Sequence, residues 1–169
     1  MPSKSLAELK SLVGTSKVTI EDLTVEAGKV AEFARSIGDS NPVYRDAELA
    51  KERGYEAVPA PLIFTRTKLF PRYRPESVDD YVGIDLGFDG QRTVHGEQHY
   101  AFERPLYVGD VLTGTTTLTD VFERDGARGG TMTFAIIETE YTDESGDTVL
   151  YEESTIIETG GAIEEDSDV

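Results

Sequence analysis

Residues 111–124 read "VLTGTTTLTDVFER", residues 130–143 "GTMTFAIIETEYTD" and residues 148–159 "TVLYEESTIIET". They are rich in Thr, Val, Ile, Phe and Tyr, the residues that suit a pleated, half-buried surface. With "VHGEQHYAFER" at 94–104 they predict four consecutive strands of about eleven residues, roughly twice the usual strand length. Gly/Asp-bearing turns separate them: "PLYVGD", "RDGARGG" and "DESGD". The expected arrangement is a long antiparallel meander, curved, with one face that must be covered.

The first half supplies the covers. Leu6, Leu9, Leu12 and Val13 have helical spacing over residues 5–13. "KVTIEDLTVE" reads as a strand. From Glu26 to Ile37 the set Val30, Phe33, Ala34, Ile37 marks an amphipathic helix, with Gly38 as its cap. Asp46 is placed to cap a helix over "AELAKER", which Gly54 closes. Pro61 suits a first helical position, so a helix is expected over about 61–70. Leu62, Leu69 and either Phe64 or Thr65 should face inward, and Pro71 and Pro75 should end it. "RPESVDDYVGIDLGFDGQRT" reads as a polar connection with a mobile tip. The fold class is α+β, a long sheet wrapped around either the 26–37 or the 61–70 helix.

Composition narrows the function classes. At 169 residues the chain is one domain long. It has no cysteine, which excludes disulfides, thiol nucleophiles and cysteine–zinc sites. The formal charge of −17 argues against nucleic acid. Charge of this size repels itself, and a salt-rich cytoplasm would screen it, so a halophilic host is expected. The opening "MPSKSLAELKSLVG" lacks the apolar run of a signal peptide, and nothing approaches a membrane span. A cytoplasmic protein is the expectation, without membrane or nucleic-acid partner. Residues 1–14 are read as an N-terminal segment, 15–160 as one domain, and 161–169, "GAIEEDSDV", as a disordered acidic tail.

"FARSIGDSNPVYRD" (33–46), "YEAVPAPLIF" (55–64) and "VHGEQHYAFERPLYVGD" (94–110), in this order and spacing, resemble the MaoC-like dehydratases and hydratases of the hot-dog fold. The likeness spans about residues 15–160 and points to the N-terminal, fatty-acid-synthase-like branch. That branch includes the substrate-binding subunits of heterodimeric (3R)-hydroxyacyl dehydratases. The resemblance implies a sheet wrapped around a central helix and a dimer with an acyl-thioester tunnel at its interface. It implies reversible syn hydration of a trans-2-enoyl thioester, on coenzyme A or acyl-carrier protein, with no metal or other cofactor. In active members an Asp and a His five residues later share the proton transfers, and an N–H at the start of the central helix holds the thioester oxygen.

By that resemblance Asp39 matches the catalytic Asp, Asn41 the motif Asn, and Pro42 shapes the turn. Pro61 and Leu62 stand where the family has the His-Gly of its helix start, and Leu62 keeps an N–H to donate. Tyr44 occupies the His slot. Deprotonating a tyrosine at neutral pH costs about three pKa units, or about 4 kcal/mol, against almost nothing for His. The loss of free base alone would slow the step about a thousandfold. Tyr44 can donate a hydrogen bond to water or substrate, or simply pack.

His95 and His99 are the two histidines. On one strand they would share a face roughly 13 Å apart, too far for one metal ion. Each reads as a polar residue on a half-exposed strand, with His95 the alternative base because Gly96 leaves room beside it. Asp39 could equally be a plain turn former. The Thr-rich run "TGTTTLT" reads as strand, and the loop "RDGARGG", with its two arginines, could meet a coenzyme phosphate. The leading expectation is the acyl-binding half of a heterodimer whose partner keeps Asp and His. A self-sufficient homodimeric hydratase, a non-catalytic acyl-thioester-binding protein and a hot-dog thioesterase are the alternatives.

Overall fold

The structure, a computed structural model, describes residues 2–78, 82–126 and 130–160. The tip of the polar connection at 79–81, the loop residues 127–129 with Arg128, and the acidic tail at 161–169 lie outside the described residues. Helix α1 (Leu6–Ser11) starts on a capping box, Ser5 with Glu8. Strand β1 (Ser16–Thr24), helix α2 (Ala27–Ser36) and helix α3 (Ala47–Glu52) follow. Asp46 caps α3 by accepting from the Glu48 and Leu49 N–H groups, as its position predicts. A central helix runs over Phe64–Leu69, then come β2 (Thr93–Phe102), β3 (Val111–Asp125), β4 (Thr131–Thr142) and β5 (Thr148–Glu158).

The five strands form one antiparallel sheet in the order β1-β3-β4-β5-β2. This corrects the expected four-strand meander, because β2 pairs with β5 and not with β3. The segment "PLYVGD" is no hairpin turn. Ala60 N–H donates to Leu106 O (2.8 Å), Val108 N–H to Val58 O (2.9 Å) and Gly109 N–H to Val25 O (3.0 Å). These bonds carry the chain over the sheet to its opposite side, where β3 joins β1.

The covered face has two apolar halves. One gathers Leu23 of β1, Val30 of α2, Phe64 of the central helix, Leu112, Tyr141 and Leu150. Phe33 of α2 meets Phe64 edge-on at 5.7 Å, so both candidate covers share this half. The other half gathers Leu9 of α1, Leu118, Ile137 and Ile156 with Val82, Ile84 and Leu86. The last three come from the connection read as polar. They alternate as in an extended segment, and the intervening Gly83 and Asp85 masked that pattern.

The central helix differs from expectation. It is a 3₁₀ helix, with Arg66 N–H bonded to Ile63 O (3.0 Å) and Phe70 N–H to Thr67 O (3.1 Å). A period of three puts Ile63, Arg66 and Leu69 in one row and Thr65 and Lys68 in another. The second row faces inward: Thr65 is fully buried and Lys68 is 5% exposed. Leu62 and Leu69, expected inside, are 68% and 41% exposed. Phe64 and Thr65 are both buried where one was expected. Ile37, assigned to the apolar stripe of α2, lies at its C-cap and is exposed.

Strand β2 carries a bulge. His95 pairs with Ile156 and Gln98 with Ser154, so two residues on β2, Gly96 and Glu97, oppose the single Thr155 on β5. His99 pairs with exposed Glu153, whereas Ile156 is buried in the core. The extra residue therefore turns the two histidines to opposite faces, which corrects the shared face expected from regular alternation. Among the described residues no helix is long and apolar enough to cross a membrane.

Candidate functional site

The polar turn after α2 is set by the way that helix ends. Gly38 adopts φ 76°, a left-handed conformation that costs glycine little. Its N–H bonds Arg35 O (3.1 Å), and the next N–H, of Asp39, bonds Ala34 O (2.9 Å). These two bonds make a Schellman motif, which aims Asp39 back along the helix end.

Asp39 Oδ1 accepts from Asn41 N–H at 2.9 Å. Asn41 Oδ1 accepts from Val43 N–H (3.2 Å) and from the Arg53 guanidinium (3.0 Å). Asn41 is thereby the N-cap of a 3₁₀ turn over Pro42–Tyr44, with Pro42 at its first position where no N–H is needed. Val43 is buried and anchors the turn. Tyr44 packs its ring against the first apolar half. Burial first, and then the charge and hydrogen bond of the Asp39 carboxylate, push the Tyr44 phenol above its ordinary range. At neutral pH the phenol is a donor and the carboxylate beside it is the acceptor.

A cleft of about 510 Å³ opens here, lined by Ala31, Arg35, Asp39, Asn41, Tyr44 and Arg45, among others. The structure brings Asp39, Asn41 and Tyr44 together around it, with Pro42 shaping the turn. Pro61, Leu62 and His95 do not line it. His95 Nε2 lies 2.8 Å from Gln98 Oε1 on the same strand. Among the described residues no hydrogen bond ends on the Leu62 N–H, so the donor at the start of the central helix is open.

A second polar group escaped the sequence reading. Glu152 of β5, 1% exposed, accepts four hydrogen bonds. Lys68 Nζ (2.6 Å) and Gln98 Nε2 (2.5 Å) reach its Oε1, and Thr65 Oγ1 (3.0 Å) and Tyr141 OH (2.8 Å) reach its Oε2. Arg66 NH1 lies 3.2 Å from Gln98 Oε1 and 3.9 Å from Glu152. Burial would raise the Glu152 carboxyl, but the charge and hydrogen bond of Lys68, with Tyr141 and Gln98, hold it below its ordinary range. The signal was present in the strand alternation, which places Glu152 in register with inward Leu150 and Ile156.

The profile of the family described as "FAS1-like, dehydratase domain region" matches residues 11–152. A "UPF0336 protein" of Streptomyces avermitilis is 40% identical over 112 residues, 66% of this chain and 72% of that one. Among solved structures, the C-terminally truncated HadBC (3R-hydroxyacyl-ACP dehydratase) complex of Mycobacterium tuberculosis matches with TM-score 0.68 and 23% identity. The match covers 86% of this chain and 96% of that one. The ChsH1–ChsH2 complex of the same organism matches with TM-score 0.73 and 21% identity, over 93% and 95% of the two chains. These likenesses give the sheet and its covering helices the hot-dog architecture.

Proposed function

This chain belongs to the FAS1-like dehydratase-domain family, and from that membership we propose that it is the acyl-binding subunit of a MaoC-like (3R)-hydroxyacyl-thioester dehydratase, equivalently an (R)-specific enoyl-thioester hydratase. The observation that carries the proposal is Tyr44 against Asp39. Hydration needs a base to take a proton from water as its oxygen bonds C3, and an acid to deliver a proton to C2. Asp39 can serve one of these steps. A phenol raised by burial and a neighbouring carboxylate is a poor partner for the other, since it is no base at neutral pH and gives up its proton reluctantly as an acid. The acid–base pair then belongs to a second hot-dog protomer that keeps Asp and His.

Two structural features support assembly with such a protomer. Among the described residues no strand pairs with the outer edge of the ten-residue β2, and an open edge of that length invites a second strand. Beside the open donor at Leu62, the exposed apolar side chains Leu62, Ile63, Leu69 and Phe70 stand on and around the central helix. The substrate is an acyl thioester of coenzyme A or of acyl-carrier protein. The chemistry is proton transfer and calls for no metal or redox cofactor. The charge of −17 supports a halophilic setting.

The test is hydration of crotonyl-CoA by the purified chain. The wild type is expected to be silent or nearly so. Tyr44→His, which completes the pair with Asp39, should raise the rate by roughly a hundredfold or more, the usual span of general base catalysis. Adding Asp39→Asn should abolish the gain. Brisk turnover by the wild type, with Tyr44→His neutral or harmful, would refute the binding-subunit proposal in favour of a self-sufficient hydratase.

A further inference from the structure

The walls of the Asp39–Tyr44 cleft are polar. Among the described residues that line it, Ala31 and Ala34 supply the only aliphatic side chains, and Gly38 supplies none. Sites that bury an alkyl chain are lined mainly by hydrophobic and aromatic groups, with a few polar ones among them. Here the proportion is reversed, so a plain hydrocarbon chain would gain little by leaving water for this cleft.

Two guanidinium groups line the cleft without partners. Arg35 comes from the last turn of α2 and Arg45 from the C-cap of the 3₁₀ turn, so they flank the segment that carries Asp39 and Tyr44. Among the described residues neither side chain makes a hydrogen bond or an ion pair. Elsewhere the chain sets Arg66, Arg72, Arg92 and Arg104 against carboxylates and Arg53 against Asn41. Glu32, one turn before Arg35, also lines the cleft but makes no ion pair with it, and Asp39 is engaged by the Asn41 N–H. The surroundings add to the effect. Residues 35–74 hold half of the sixteen Lys and Arg but only five of the thirty-three Asp and Glu. On a molecule of formal charge −17 this is the stretch that draws a small anion.

The place of the arginines says which anion. The phosphate of a thioester carrier stands at the far end of the pantetheine arm, whereas Arg35 and Arg45 share one cleft of about 510 Å³ with Asp39 and Tyr44. An anion held there belongs to the acyl group itself, and a guanidinium matches the two oxygens of a carboxylate. Resting on the reading of the cleft as a thioester site, we infer that the acyl group it takes carries a free carboxylate held by Arg35 and Arg45, so that the substrate class is the monothioester of a short dicarboxylic acid.

The experiment is calorimetric titration of the full chain, at one salt concentration, with two pairs of ligands: butanoyl- and succinyl-CoA, and pentanoyl- and glutaryl-CoA. Within each pair a carboxylate takes the place of the terminal methyl, and the charge of the coenzyme cancels. In at least one pair the carboxylated member should bind about tenfold or more tightly, through charge-assisted hydrogen bonds to guanidinium. The molecule as a whole repels the added negative charge, so such a preference can come only from cations at the site. In Arg35→Gln/Arg45→Gln, a change at two exposed positions, the members of that pair should come within about threefold of each other. Methyl members that bind the wild type as tightly as the carboxylated ones overturn the inference and leave the thioester reading standing. A folded double variant that keeps the wild-type preference overturns it as well. So does one that weakens free coenzyme A as much as succinyl-CoA, because the arginines then serve the phosphates. Failure of all four ligands refutes the thioester reading and the inference with it.

Discussion

Lys68 Nζ lies 2.6 Å from Glu152 Oε1, with 4% of one side chain and none of the other exposed to solvent. The two residues are eighty-four positions apart and tie the central helix to β5, the strand next to the sheet's β2 edge. Removing one partner leaves the other charge buried and unpaired, which typically costs about 4 kcal/mol. Lys68→Ala should therefore lower the thermal midpoint by about ten degrees. The double replacement by apolar residues should restore most of the loss. A Lys68→Ala midpoint within about two degrees of wild type would show that the pair carries no such weight.

The same pair sets an acid response. The folded Glu152 carboxyl has a pKa below its unfolded value, so as pH falls the unfolded chain binds the proton first. The stabilisation is complete above the ordinary glutamate pKa of about 4.3 and is lost as pH drops through the lower folded value. Glu152→Gln should show a shallower fall in stability over that acid window than wild type, read by urea titrations at stepped pH. Parallel acid limbs would remove Glu152 from the response.

Gly38 is predicted to matter by conformation alone. A methyl group there would meet nothing within 4 Å, yet the backbone sits at φ 76°. Gly38→Ala should cost about 1 kcal/mol, a shift of about 2–4 °C in the midpoint, and should loosen thioester binding by moving Asp39 against Tyr44. A Gly38→Ala protein with unchanged midpoint would mean that the Schellman end does not hold the turn.

Salt should stabilise the chain. With a formal charge of −17 on 169 residues, self-repulsion is screened as the Debye length falls from about 10 Å at 0.1 M salt to about 3 Å at 1 M. The thermal midpoint is expected to climb steadily as KCl rises across that range. A flat response would leave an ordinary acidic protein.

Assembly is predicted from β2. Sedimentation in high salt should find a dimer or larger multiple of the isolated chain, because the open edge and the exposed apolar residues around Leu62 are uncovered in one protomer. A monomer at micromolar concentration would argue against the second protomer.

Local chemistry was legible in the sequence. Strand composition marked β2 to β5, Asp46 and Gly38 marked helix ends, and the 33–46 turn marked Asp39, Asn41 and Tyr44, because each of these depends on residues within one turn or one strand. Long-range pairing was not written there. Nothing in "PLYVGD" says whether it closes a hairpin or crosses the sheet; that depends on bonds to Ala60, Val58 and Val25 far back in the chain. The bulge that parts His95 from His99 is likewise a matter of register against β5. Tertiary structure also decided that the central helix turns with a period of three. Only there does Lys68 find Glu152, and a buried charge can be tolerated only where a partner from elsewhere in the chain meets it.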